Sequence, residues 1–487
     1  MSKQKSNIVF IHTDSMDGRV MGCMGHPAMR HATPNIDRLA AEGVIFRNAY
    51  SNNPICCPSR ASMLSGAFTH HCEAWNNHKG LEADTPTFLD HLEQAGYRNT
   101  VLGKTDYLSG QHSVCARVTS WLRAAAIDRP VQRTRGPEVE QSEERRFSQK
   151  DWSHVDQAVA WLENESDGDK PFFLYLGLNQ PHHPFRTTLH YLRMIDESGV
   201  LLPPPDETPH PVTDHQRAVK GWSHGYSADM VLMLRKVYFA MIAEVDTMVG
   251  EVLDTLDRRG LRGSTTVIFS SDHGELAMEH GQVTKMSLYE PSVRVPLIMA
   301  GPGLPAGQAC YRLVSLVDIY PTLMDLAGGA GPSGLDGHSL LPSATGGHDG
   351  RPDWVLSEVH TVSCRTGAFM LRRGDWKYIA YPGFPPQLFN LREDPDEIRN
   401  LSDGRPEIAA DMEKLLQSIL DYEKVDARVK QYDRASFRKW REERLETGDY
   451  HKFMGDFFSS NNSTQHEQAV PWTDRDEKVV ERWLNRK

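Results

Sequence analysis

The chain has 487 residues, of which 54 are Lys or Arg and 65 are Asp or Glu, giving a formal net charge of −11. Hydrophobic residues at 39% and charged residues at 24% describe a globular protein with a sizeable core and exclude a disordered or fibrous one. The acidity argues against a broadly basic surface, so neither nucleic acid nor a membrane is expected as a partner; it also looks unfavourable for an enzyme of anionic substrates.

Asn7–His12 reads as a buried strand ending in polar Thr13-Asp14-Ser15. Its apolar run, Ile8–Ile11, is too short for a signal-peptide core or a membrane span, so a cytoplasmic protein is expected. The seven cysteines (23, 56, 57, 72, 115, 310 and 364) are an odd, scattered set without a CxxC pair, which suggests neither a disulfide framework nor a zinc site. Pro171–Gly177, Thr265–Asp272 and Val295–Met299 repeat the short apolar pattern of strands covered on both faces. Val231, Leu234, Tyr238, Met241, Val245, Met248, Val252 and Leu256, three or four apart, predict a long helix between them. Alternating β and α units predict a doubly wound α/β sheet with ligands at the carboxyl ends of its strands. Asp14 and Asp272 both lie just past such an end.

Residues 327–353 are rich in Gly, Pro and Ser and read as a connection. Trp354–Ser357, Ala368–Leu371 and Trp376–Tyr381 then predict short antiparallel strands, with a helix around Glu407–Tyr422. From Asp426 the chain shows weak periodicity, includes Ser459–Ser463, and is expected to wrap the body as a tail. The division expected is a catalytic domain over residues 1–345 and a smaller C-terminal α+β subdomain with its tail over 346–487.

The most specific segment is Cys56-Cys57-Pro58-Ser59-Arg60, followed by Ser65-Gly66. A lone cysteine is ordinarily a buried free thiol, but here the pattern C-x-P-S-R-x4-[ST]-G matches at all its fixed positions together. It resembles the signature of the type I sulfatases. His12–Ser15, Thr33–Ala40, Gly103-Lys104, Pro181-His182, Ser271–Glu275, Lys285 with Leu288–Glu290, Gly374–Lys377, and Leu388–Leu391 with Asp394-Pro395 resemble further family motifs in the family's order, so the resemblance covers nearly the whole chain. It implies an alkaline-phosphatase-like sulfatase fold, a large mixed sheet flanked by helices, and hydrolysis of sulfuric esters. Asn53–Arg60, Trp75–Asn77 with Lys79-Gly80, Ser271–His280, Val314–Pro321 and Trp376–Tyr381 are similar to a branch of the family that takes the 2-O-sulfate from glucuronate in glycosaminoglycans. The substrate implied is a uronate 2-O-sulfate on a sulfated mono- or oligosaccharide.

By the same resemblance Cys56 is oxidised to Cα-formylglycine by a formylglycine-generating enzyme that reads C-x-P-x-R, with Cys57 as the variable residue. A hydrated formylglycine offers two hydroxyls on one carbon, one to attack sulfur and one to lose its proton and release sulfate, a cycle a thiol could not close. A divalent metal ion is implied on Asp14, Asp272, His273 and residue 56. Ca²⁺ is expected on family grounds and Mn²⁺ second, because imidazole is an uncommon ligand for a hard cation. Ser15 stands where the family has a second acidic residue, and His273 where many members have Asn.

Arg60 is expected to hold the diol, and Lys104 and Lys285 to contact sulfate oxygens, Lys285 also steadying the leaving oxygen. His182 is the expected general acid for the departing alcohol. Many sulfatases have a histidine where this chain has Asp106, which leaves the base of the elimination step between Asp106 and another histidine. His70 and His210 match positions in the uronate branch and are candidates for sugar contacts. Two other readings compete: a phosphonate monoester hydrolase or phosphodiesterase on the same scaffold, and a binding protein without turnover. The intact Cys56, Arg60, Lys104 and Lys285 argue against the second. On a chain this acidic, attraction for a sulfated substrate must come from one cation, Arg60, Lys104 and Lys285 in a pocket, which favours small fragments over long polyanions.

Overall fold

The computed structural model describes residues 5–125, 136–222, 226–329, 331–348, 350–360, 364–459 and 472–485. Its strands in chain order are β1 (Asn7–Thr13), β2 (Val44–Tyr50), β3 (Arg98–Gly103), β4 (Glu138–Glu140), β5 (Phe172–Gly177), β6 (Arg186–Thr188), β7 (Thr265–Ser271), β8 (Leu297–Ala300), β9 (Gln308–Ser315), β10 (Trp354–Val359), β11 (Ala368–Arg373), β12 (Trp376–Tyr381) and β13 (Phe384–Asn390). Seven of them form one sheet in the order β3-β5-β1-β7-β8-β2-β9, while β4 and β6 make a separate ribbon. Only β8 runs antiparallel to its neighbours; the pairs β3–β5, β5–β1, β1–β7 and β2–β9 are parallel. The mixed sheet implied above is therefore the one observed.

Alternation along the strands divides the core in two. Val9, Ile11, Leu174, Leu176, Val267 and Phe269 face one layer, against the helix Ala228–Arg258. Ile8, Phe10, Phe173, Tyr175 and Ile268 face the other, with the helices Cys56–Ser65 and Ile319–Leu326. The predicted long helix extends a few residues at both ends of its apolar pattern. One of its buried acids, Asp246, caps Pro34–Ala41 by accepting from the Ile36 N–H at 2.8 Å and the Asn35 N–H at 3.2 Å.

The C-terminal sheet, β10-β11-β12-β13, has a fourth strand beyond the three predicted. Pro385 and Pro386 broke its apolar pattern, and β13 tolerates them because it is an edge strand. In the region read as a weakly periodic tail, Tyr422–Glu446, Tyr450–Ser459 and Asp474–Leu484 are helices. Phe437, Trp440, Tyr450, Met454, Val480 and Trp483 pack with Val118, Trp121 and Leu122. The apolar stripe of the first helix is interrupted by buried Asp433, which pairs with buried Arg123 at 2.7 Å and takes the place of an apolar residue. Ser460–Ser463 lie outside the described residues. Cys23, Cys56, Cys57 and Cys72 are free thiols. Among the described residues no helix is long and apolar enough to cross a membrane.

Candidate active site

Because β1, β3, β5 and β7 are parallel, their carboxyl ends meet along one edge of the sheet. Asp14 follows β1, Lys104 follows β3, His182 lies in the segment after β5, and Asp272-His273 follow β7. β2 ends at Tyr50 on the same edge, and residues 51–55 lead into the helix that carries Cys56 in its first turn. Two glycines allow the close packing. At Gly103, with φ of 79°, a Cβ would lie 2.0 Å from the Gly177 carbonyl, and at Gly274 one would lie 1.9 Å from the Pro291 carbonyl.

The donor atoms of Asp14, Cys56, Asp272 and His273 all lie within 4.8 Å of one another, and all four residues are buried. Cys56 Sγ is 3.4 Å from His273 Nε2 and 3.9 Å from Asp14 Oδ1, and Nε2 is 3.5 Å from Asp272 Oδ1. His273 Nδ1 lies 2.9 Å from the Gly274 carbonyl, so Nδ1 carries the proton and the Nε2 lone pair faces the cluster. Two buried carboxylates, an imidazole lone pair and residue 56 fit a divalent cation, which these four would hold.

Ser15 explains how the site does without the second acidic residue. Its backbone is left-handed, with φ of 66°; its hydroxyl donates to Asp14 Oδ1 at 2.9 Å and its N–H to Asp272 Oδ1 at 3.2 Å. The serine thus aims the two carboxylates.

Arg60 departs from expectation. Its Nε donates to Asp272 Oδ2 at 2.9 Å, Nη1 to the Lys104 carbonyl at 3.0 Å and the Tyr175 hydroxyl at 2.9 Å, and Nη2 to the Thr13 carbonyl at 3.1 Å. The side chain is wholly buried and donates nothing to Cys56, so it anchors the ligand-bearing strand ends instead of gripping the nucleophile. Ser51 and Ser59 add to the anchoring, both hydroxyls donating to the Asp272 carbonyl at 2.6 and 2.5 Å. Ser59 was present in the motif to be read; Tyr175 reads as an ordinary apolar strand residue and gave no signal.

Lys104 Nζ donates to Asp14 Oδ2 at 2.5 Å and lies 3.5 Å from Asp106 Oδ2. Behind it, His112 Nε2 lies 2.6 Å from Asp106 Oδ1, so the histidine beside this lysine comes from further along the chain. Burial opposes ionisation of Asp14, yet Lys104, with His182, Lys285 and His273, holds its carboxyl well below the usual range. The Cys56 thiol is likewise pushed up by burial and by Asp14, but Lys104, Lys285 and His273 prevail and hold it well below its ordinary value.

Lys285 sits on a strained loop. Ala277, Met278, His280, Thr284 and Met286 all have positive φ. Glu275 secures that loop by accepting from the Ala277 N–H at 3.1 Å and from the Thr284 N–H. Lys285 Nζ lies 2.7 Å from His182 Nε2, while His182 Nδ1 donates to the His183 carbonyl at 2.7 Å, so Nε2 accepts from the ammonium. Glu290, from the same motif, turns away from the cluster. It pairs with buried Lys377 at 3.2 Å, and Lys377 pairs with Glu397 at 2.7 Å, fastening the C-terminal sheet to this segment.

The two candidate sugar contacts are not brought to the cluster. His70 Nδ1 lies 2.7 Å from Glu358 Oε1, in a buried group shared with His360. His210 caps the helix Pro211–Val219 by accepting from the Val212 N–H at 3.4 Å and donates through Nε2 to the Pro385 carbonyl at 2.8 Å. With both ring nitrogens engaged, its expected sugar contact gives way to capping.

A family model described as Sulfatase matches residues 6–330, and one described as N-sulphoglucosamine sulphohydrolase, C-terminal, matches residues 278–424. Arylsulfatase K of Homo sapiens is 42% identical over 466 residues, covering 90% of this chain and 86% of that protein. That of Mus musculus is 41% identical over 469 residues, covering 90% and 84%. Among solved structures, one described as a 2-O GAG sulfatase superposes with a TM-score of 0.70 at 26% identity, covering 87% of this chain and 94% of that one. The phosphonate monoester hydrolase of Agrobacterium radiobacter also gives 0.70, at 24% identity over 87% and 96%, a likeness of fold alone. The matched families and relatives agree with the residues gathered at the strand edge: the chain belongs to the sulfatase family, and its reaction is the hydrolysis of sulfate esters.

Proposed function

We propose that this sulfatase removes the 2-O-sulfate of a uronate residue from small sulfated saccharides, with calcium as its metal ion and with Cys56 matured by a formylglycine-generating enzyme. The observation that carries the substrate is the likeness to the 2-O GAG sulfatase, over 87% of this chain and 94% of that one. Family membership itself implies the metal ion and the formylglycine. When present, the metal supplies Lewis acidity and the oxidised residue 56 supplies the nucleophile.

The chain's own residues do the rest. Asp14, Asp272 and His273 Nε2 present the donor set, which Ser15 and Arg60 hold in place. Lys104 and Lys285 bind the oxygens of the sulfate, their charges worth more in a buried site than in water. His182, its Nδ1 fixed on the His183 carbonyl, takes a proton at Nε2 from the Lys285 ammonium and passes it to the departing sugar oxygen. Asp106, with His112 behind it, stands on the far side of Lys104 as the acceptor for the elimination step.

Steady-state kinetics on a 2-sulfated uronate disaccharide and on a phosphonate monoester test the substrate. The sulfate is expected to lead in kcat/KM by more than about 10²-fold, the scale on which an active site separates substrates by differential transition-state binding. A lead for the phosphonate would replace this reading with that of a phosphonate hydrolase. For the metal, the chelated enzyme is expected to regain activity and thermal stability with Ca²⁺, gaining about 3 kcal/mol at a hundred times Kd. Recovery with Mn²⁺ and none with Ca²⁺ would reassign the ion.

A further inference from the structure

The loop that carries Lys285 is held in a conformation that its own residues oppose. Ala277, Met278, His280, Thr284 and Met286 take φ between 41° and 91°, a region that residues with a Cβ avoid. Such a backbone persists only where its neighbours fix it. The segment is a tight hairpin, in which the Leu276 N–H donates to the Thr284 carbonyl at 2.6 Å and the Met278 N–H to the Gln282 carbonyl at 2.7 Å. Lys285 follows Thr284 at the base of this hairpin, and Gln216 Nε2 donates to the carbonyl of Met286, just beyond it, at 2.9 Å. Glu275 secures the base, and a separate set of residues fixes the tip, Glu279–Gly281.

Two arginines from different elements close on that tip. Arg19, in the segment that follows Asp14 and Ser15, donates from Nη2 to the two Glu279 oxygens at 3.0 and 2.9 Å. Arg235, on the helix Ala228–Arg258, donates to Glu279 Oε1 at 3.3 Å and to the Ala277 carbonyl at 3.0 Å. Arg19 is itself aimed by Asp17, whose Oδ2 accepts from Nε at 3.0 Å and from Nη2 at 2.7 Å. Tyr238 ties that segment to the same helix, its hydroxyl accepting from the Asp17 N–H and donating to the Ser15 carbonyl, each at 2.9 Å. Burial opposes ionisation of Glu279, yet the two arginines hold its carboxyl down at about 2. His280 fastens the tip a second time. Its Nδ1 meets Asp206 at 2.7 Å, its carbonyl accepts from Arg217 at 2.7 Å, and its ring stacks on Tyr289 with centroids 3.6 Å apart. A loop that only had to close would need no strained backbone. What the strain secures is the place of Lys285, whose Nζ lies 2.7 Å from His182 Nε2.

We infer that Glu279, clamped between Arg19 and Arg235, is a positioning residue that holds Lys285 against His182 and so serves the departure of the leaving oxygen, an assignment that rests on the roles given above to Lys285 and His182. The test compares kcat/KM, which covers the steps through S–O cleavage, for 4-nitrophenyl sulfate and for phenyl sulfate. Nitrophenolate leaves with little help, whereas the more basic phenolate draws on the Lys285–His182 pair. In Glu279→Gln the value for phenyl sulfate is expected to fall by about 10- to 100-fold, part of what a positioned proton donor supplies. The value for 4-nitrophenyl sulfate is expected to stay within about threefold, because that ester does not need the donor. A folding defect lowers both values together and leaves their ratio unchanged, so the ratio reports the positioning. Arg19→Lys keeps a charge but cannot span Asp17 and Glu279 as the guanidinium does. It is expected to shift the ratio the same way by a smaller factor, and it carries the test where Glu279→Gln does not fold. An unchanged ratio, while Lys285→Ala loses phenyl sulfate more than 4-nitrophenyl sulfate, overturns the inference and leaves the role of Lys285 standing. Equal losses of the two esters in Lys285→Ala overturn both.

Discussion

Replacing Cys56 by alanine is expected to lower kcat by on the order of 10⁵-fold or more, the scale seen when an enzyme loses its nucleophile. Replacing Cys57 is expected to keep kcat within about tenfold, since it changes packing and not a reacting group. The two thiols are adjacent in sequence and fully buried, yet successive residues of a helix point about 100° apart. Cys56 Sγ lies 3.4 Å from His273 Nε2, inside the donor cluster. Cys57 faces the other way, its Sγ so close to Gly80 that a Cβ there would sit 2.7 Å from it. Burial, with Asp106 and Cys56 beside it, pushes the Cys57 thiol well above its usual value, which makes it a poor nucleophile. Cys57→Ala leaves a gap of one sulfur atom and a cost of about 1 kcal/mol. Turnover of an aryl sulfate by each variant, together with peptide mass spectrometry at both positions, checks the assignment. Oxidation and loss of activity at position 57 instead of 56 would overturn it.

What could be read beforehand from the strands was the pair of acids just past their ends, while Cys56, Lys104, His182 and Lys285 were legible only through their motifs. Ile8–Ile11 pointed to Asp14 and Thr265–Ser271 to Asp272-His273, and a parallel sheet places such residues together whatever lies between them. The supports were harder to read. Tyr175 bonds Arg60 through its hydroxyl while its ring packs in the core, and nothing in Phe172–Gly177 separates the two uses. His112 meets Asp106 only because of the turn between them, where Asp106 itself has positive φ. The uses of His70 and His210 depend on Glu358 and Pro385, whose places follow from how the C-terminal sheet docks and not from any local pattern. The C-terminal helices escaped notice for a similar reason. Their burial against Trp121 and Leu122 is a long-range contact, and the buried Arg123–Asp433 pair hides the stripe that would have marked it.

Arg60→Met is expected to destabilise the fold by about 3–5 kcal/mol, the usual effect of removing one partner from a buried ion pair. Arg60 is fully buried, and its departure leaves Asp272 Oδ2, two backbone carbonyls and the Tyr175 hydroxyl without a donor. Asp272 is already pushed above the usual carboxylate range by burial and by Asp14. Without the guanidinium its carboxyl would be pushed higher still, away from the charged form a metal ion needs. Arg60→Lys is the sharper probe, because an ammonium restores the positive charge but cannot span Asp272, Lys104, Tyr175 and Thr13 at once. We expect Arg60→Lys to recover part of the stability while binding calcium more than about tenfold more weakly, as loss of a residue that orients a metal ligand does. Thermal unfolding in chelator and calcium titration separate the two effects. An arginine that gripped the nucleophile would give another pattern, with lower kcat, wild-type calcium affinity and wild-type stability in chelator. That result would move Arg60 from the support of the metal ligands to the chemistry at residue 56.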